Sequence, residues 1–303
     1  HFDYSSQMAK DWIRNKSGID SVAMDALLTE ETRPRTTILN DSFLIALRGV
    51  NLNPNSKPED MVSIRLFISD NLIITTKRRN LLSVDEIIDS LKKRVGPKSS
   101  SEFLNELTYR VTSRMENVIG ELEDRTDFLE ESLVDFKDLK FRSELLAIRR
   151  ETIILRRYLF PQKEAISKLY HDKVTWLDEY EKLELRETND QVMRYIEELD
   201  TIKDKVALIQ EDLANKLSEQ MNKKMYVLSI ISVIFLPLSF LTGLLGINVG
   251  GIPGANNDNA FYIFVGVLAL IVTSSKLSFS FTAKAISFST SFMVSLTECL
   301  IGS

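Results

Sequence analysis

Hydrophobic and polar positions change rhythm several times along this 303-residue chain. Over residues 1–95 short runs alternate. Residues 20–31 predict a short helix with Val22, Ala23, Ala26 and Leu27 on one side. Thr36-Thr37-Ile38-Leu39, a turn at Asn40-Asp41 and residues 43–50 predict a β-hairpin, and residues 61–68 and 72–76 predict a second one around Ser69-Asp70-Asn71. Ser83-Val84-Asp85-Glu86 has the spacing of a capping box and predicts a helix that stops at Gly96-Pro97. These elements make a small α/β domain.

From residue 99 onward the period is helical. Leu104, Leu107, Val111, Met115, Val118 and Leu122 share a face, and residues 133–159 predict a further helix stopped by Pro161. The acidic run 121–131 has two destinations: pairing with Arg149-Arg150 and Arg156-Arg157 across antiparallel helices, or solvent. Val192, Ile196, Leu199, Lys203, Val206, Gln210, Leu213 and Leu217 recur at coiled-coil spacing, with neither Pro nor Gly between Gln191 and Pro237. A single helix over 190–245 would be roughly 80 Å long at the ordinary rise. Stalk and membrane segment then become one rod.

Between Lys224 and Asp258 there is no charged residue, and residues 225–248 are mostly apolar. That exceeds the length a helix needs to cross a bilayer. Asn222, Met225, Ser229, Ser232, Leu236, Ser239 and Gly243 follow one another at steps of three or four. Lipid gives no reward for serines, so this face belongs against water in a pore or against small residues of neighbouring helices. A second apolar stretch, 260–273, is short for a crossing, and extending it to 281 supplies the length if Lys276 snorkels to the interface. Lys223 and Lys224 flank the first span and the loop 249–259 holds neither Lys nor Arg, which predicts a cytoplasmic N-terminal part, an outer loop and both termini inside.

Composition narrows the function. Residues 1–223 hold 35 of the 38 basic and 41 of the 43 acidic side chains, so no basic surface for nucleic acid is indicated. Cys299 is the only cysteine, which excludes an intrachain disulfide, and His1 and His171 alone cannot build a Cys/His zinc site. His171 reads as a residue of a solvated helix face, with a metal ligand shared between subunits as the alternative. Phosphate-binding loops, nucleophile elbows and paired active-site carboxylates are not evident, so the chain does not read as an enzyme and calls for no cofactor. No signal peptide is visible.

Pro237-Leu238, Thr242-Gly243 and Gly246-Ile247-Asn248 resemble the pore-helix end of the CorA superfamily of divalent-cation transporters, with Ile247 where the family hallmark has methionine. That variant, followed by Val249-Gly250-Gly251-Ile252-Pro253-Gly254, is similar to the ZntB branch of zinc transporters. Glu31-Thr32-Arg33-Pro34-Arg35, Arg48-Gly49-Val50-Asn51-Leu52-Asn53-Pro54 and Pro58-Glu59-Asp60-Met61-Val62-Ser63 also resemble that branch. The resemblance implies a homopentameric funnel in a bacterial inner membrane, with an α/β cytoplasmic domain (1–95), a helical domain and stalk (96–223), a pore-lining helix (224–248), an outer loop (249–259), a second membrane helix (260–281) and a tail (282–303). It implies an earlier strand, so part of the N-terminus is expected to be missing, and the serine-rich tail departs from the family pattern, as a foreign C-terminus would.

In such a ring Asn222, Met225, Ser229, Ser232, Leu236 and Ser239 would face the axis, and Pro237 would leave the Val233 carbonyl without its donor, a place to bend. Asn248 is expected to present amide oxygens to a hydrated cation, or to cap the helix. Asp258 either draws cations in or is an ordinary loop aspartate. Three functions follow: proton-coupled zinc transport, a magnesium or cobalt channel gated by cytoplasmic cations, and a membrane-anchored helical scaffold. Glu211 and Glu219 are proton-carrier candidates by position alone.

Overall fold

The structure is a computed structural model and describes residues 1–30, 33–133, 139–246, 258–259, 261–270 and 273–274. A five-stranded sheet has the order β1-β5-β4-β3-β2, with β1 (Phe2–Asp3), β2 (Arg35–Leu39), β3 (Ser42–Gly49), β4 (Val62–Ile68) and β5 (Ile73–Lys77). The two expected hairpins are its centre. Pairing is antiparallel throughout except for β1, which lies parallel to β5. Asn40 turns the first hairpin at φ 53°, a conformation Asn tolerates well.

Two layers cover the sheet. On one face α1 (Gln7–Asn15), absent from the sequence reading, is followed by α2 (Ser21–Leu28), whose first turn is capped by the Asp20 carboxylate accepting from the Val22 amide. Ala23 and Leu27 bury against Leu44, Phe67 and Ile74. Val22 does not join them; it is 57% exposed, being a helical step away from Ala23 on the solvent side.

The other face carries the main core, which runs from Phe43, Ile45, Leu47, Ile64 and Leu66 of the sheet into the remaining helices. In α3 (Leu82–Lys92) Leu81 holds the cap position, and Ser83 is not a cap. Its hydroxyl is buried and donates to the Arg110 carbonyl of α4 (Ser100–Ser113), so a tertiary acceptor outcompetes the local one. The helix also ends before Gly96, with Arg94 in the left-handed region at φ 60°. Beyond α4 come α5 (Met115–Ser132), α6 (Leu139–His171) and α7 (Glu179–Leu245), the last of 67 residues.

Pro161 does not stop α6, which continues to His171. A proline inside a helix costs about 3 kcal/mol, yet the turns beyond it are anchored to the sheet. Gln162 accepts from the Arg48 amide at 2.8 Å, the Ala165 carbonyl accepts from Thr36 at 2.7 Å, and Ala165, Ile166 and Leu169 are buried. Charge pairing between helices also differs from the expected pattern. Arg125 of α5 binds Glu144 and Glu151 of α6, while Arg156 grips Asp200 of α7 through two hydrogen bonds. Burying Val192, Ile196, Leu199, Val206 and Leu213 places the first part of the heptad stripe in the chain's own core. Lys203 instead pairs with Asp200, and Leu217 is 41% exposed.

By compactness the chain divides into residues 1–213 and 214–303, and α7 carries it from the first unit into the second.

Candidate functional site

Most of the described residues of the second unit belong to the end of α7. Among the described residues this is the one helix long and apolar enough to cross a membrane, and its apolar window is not buried. Leu228, Phe235, Leu236 and Phe240 are each more than 60% exposed. Water does not tolerate such a surface; lipid or other helices do.

Exposure is uneven around this helix. Ile230, Ile234, Pro237, Leu238 and Leu241 are partly covered and recur at steps of three and four. Asn222, Met225, Ser229, Ser232, Leu236 and Ser239 are exposed and fall on the opposite side at helical pitch. Val227, Leu228, Ile231, Val233, Phe235 and Phe240 are exposed as well, so what sets the six apart is their spacing and their hydroxyl and amide groups. Ser229 donates to the Met225 carbonyl and Ser232 to the Leu228 carbonyl, each at 2.9 Å. The Thr242 hydroxyl reaches the carbonyls of Leu238 at 2.8 Å and Ser239 at 3.1 Å, in the turn after Pro237. Pro237 lies inside the helix, which continues past it to Leu245.

Gly246 closes the helix through a 2.9 Å bond from its amide to the Thr242 carbonyl. A Cβ at this position would stand 2.8 Å from that same carbonyl oxygen, whereas one at Gly243 would meet open space. Gly246 is required by crowding and Gly243 is not, a distinction the sequence did not contain. Ile247 and Asn248 lie outside the described residues, as do 249–257 of the outer loop, Ala260, most of the stretch beyond 270 and the tail 282–303. Asp258 is exposed and directly precedes Asn259, whose carbonyl accepts from the Ile263 amide at the start of α8 (Phe261–Leu270).

At the other end of the span, Glu219 and Lys223 form an i, i+4 pair at 2.7 Å. The Lys223 ammonium holds the Glu219 carboxyl below its usual value. His171 is exposed on α6, with Nδ1 2.8 Å from the Ser167 carbonyl oxygen, and His1 Nδ1 lies 2.6 Å from the Thr75 hydroxyl. Among the described residues no group of three or more His, Cys, Asp or Glu side chains is placed to hold a metal ion.

Residues 1–281 match the family described as CorA-like Mg2+ transporter protein. The chain is 40% identical over 265 residues to the divalent cation transporter CmaX of Pseudomonas aeruginosa, spanning 87% of this chain and 80% of that one. It is 35% identical over 272 residues to the zinc transport protein ZntB of Pectobacterium carotovorum, spanning 90% and 83%. The structure of full-length CmaX superposes with a TM-score of 0.80 at 37% identity, covering 92% of this chain and 86% of that one.

Proposed function

The chain belongs to the CorA-like family of divalent-cation transporters, and from that premise we propose that its cargo is zinc, carried through a pore that five copies build around the open face of α7. One span cannot enclose water by itself, so a ring of subunits must. The observation that carries the reading is the two-sided helix. Asn222, Met225, Ser229, Ser232, Leu236 and Ser239 offer hydroxyls and an amide between apolar steps, and the partly covered Ile230, Ile234 and Leu241 lie away from them. Hydrated bands alternating with Met225 and Leu236 suit a path that closes by dewetting.

Gly246-Ile247-Asn248 forms the outer mouth in this proposal, with Asn248 offering neutral amide oxygens to a cation that keeps its water. A divalent ion surrenders that shell reluctantly, so acceptors for its bound water are better placed than direct ligands. Asp258 gathers cations before the mouth. Residues 1–223 and both ends of the chain lie on the cytoplasmic side of a bacterial inner membrane, and 260–281 forms the second crossing.

Zinc is favoured by the likeness to ZntB of Pectobacterium carotovorum, and proton coupling is part of the proposal. Glu219 is a poor carrier, because its hydrogen bond with the Lys223 ammonium favours the charged carboxylate over the protonated form. The test is metal uptake by proteoliposomes holding the purified chain, with zinc, magnesium and cobalt compared with and without an imposed pH gradient. Zinc uptake accelerated by the gradient is expected. Magnesium uptake indifferent to the gradient would replace the zinc reading with that of a channel for magnesium.

A further inference from the structure

The first unit holds a cavity of about 660 Å³ whose wall carries four arginines: Arg48 at the end of β3, Arg78 and Arg79 after β5, and Arg157 on α6. Two of them are held by one ring. The guanidinium carbon of Arg48 lies 4.3 Å and that of Arg157 4.8 Å from the centre of Tyr158, and Arg157 also donates to the Tyr158 hydroxyl at 2.8 Å. Stacked guanidiniums lose little freedom on meeting an anion.

A fifth arginine stands behind the wall. Arg65 on β4 is 1% exposed; its guanidinium carbon lies 4.5 Å from the centre of the Tyr4 ring, and Nη2 donates to the Glu30 carbonyl at 2.7 Å. Tyr4 and Glu30 both line the cavity. Among the described residues, Nε and Nη1 of Arg65 have no hydrogen-bond partner. A buried cation with two unmet donors is costly, and a nearby anion would offset its field. Burial already presses the Arg65 guanidinium below the usual arginine value.

Acids line the cavity too, but two have cations beside them. Glu30 pairs with Arg78, and Glu59 approaches Lys57 at 4.0 Å. Asp60 is the third. We infer that this cavity binds a phosphate-bearing small molecule, its dianion received by Arg79 and by the Tyr158-held pair Arg48 and Arg157, with Arg65 reinforcing the field from behind. Guanidinium forks match phosphate oxygens in geometry and charge. The volume exceeds that of the phosphate group alone, leaving room for an organic part. The assignment does not rest on the proposed zinc transport.

The test is calorimetric titration of the detergent-solubilised full chain at constant chloride with a metal chelator present. Inorganic phosphate and adenosine 5′-diphosphate are the probes, and the two arms separate recognition of the phosphate alone from recognition of an ester. Saturable binding of at least one probe is expected, about tenfold weaker in the double variant Arg79→Ala, Arg157→Ala and unchanged in Arg150→Ala, which lies outside the cavity. The altered side chains are exposed, and an unchanged melting profile confirms that the variants fold. Absence of saturable binding of both probes to the unaltered chain, or equal affinity in the double variant, would overturn the assignment. So would an equal loss in Arg150→Ala, which would mean only general basic charge.

Discussion

A methyl group on Gly246 has nowhere to go, since its carbon would sit 2.8 Å from the Thr242 carbonyl oxygen, while at Gly243 the same addition meets open space. Gly246→Ala should therefore shift the helix end and lower metal uptake by roughly tenfold, the equivalent of about 1.4 kcal/mol, with Gly243→Ala near the unaltered rate. Uptake assays on both, normalised to protein incorporated, check this. Asn248→Ala is expected to remove most uptake with assembly intact, and unaltered uptake would refute its role at the mouth. A third residue-scale case is Glu86, held below its usual value of 4.5 chiefly by its hydrogen bond with Arg114 and further by Arg110. Its folded pKa is depressed, so the stabilisation is full above the unfolded value and disappears as pH falls through the folded one. Glu86→Gln should be less stable at pH 7 by about 0.5 kcal/mol, the scale of a half-exposed pair, and the difference should shrink as pH falls below the unfolded value. The Ser-x-x-Glu spacing made Ser83 look like a cap; its real acceptor is 27 residues away, which no local pattern encodes.

Helices and strands were legible where one face is simply apolar. Both hairpins and the buried faces of α4 and α5 follow from their periodicities, because burial and local spacing agree there. They fail where distant contacts decide. Pro161 reads as a stop, yet Gln162 and Ala165 tie the next turns to β3 and β2. For the end of α7 the pattern specified a polar face, and the structure adds that Ile230, Ile234, Leu238 and Leu241, on the other side, are partly covered. The proposed path requires these faces to differ chemically. Cysteine at Ser232 or Ser239, with Cys299 replaced, should react with a small polar thiol reagent in the assembled protein, and cysteine at Ile230 or Ile234 should be protected. Equal labelling of all four would reduce the serine stripe to helix packing.

At the scale of the whole molecule, α7 belongs to both compact units, and Leu213, 6% exposed, is the last residue of the first. Leu213→Pro removes a backbone donor and forces a clash, a cost of about 3 kcal/mol or more. Changed oligomer mass by light scattering or changed metal uptake is expected, 35 residues in sequence before Asn248. If both stay the same, the helix does not couple the units. The hydroxyls of the open face have a consequence of their own. Ser229 and Ser232 have already given their protons to carbonyls of their own helix, so only lone pairs remain to turn outward. Repeated around an axis, such positions would form electron-rich collars without a single formal charge. They would welcome the water hydrogens around a cation, offer no donor to an anion, and do so unchanged across the pH range in which carboxylates titrate.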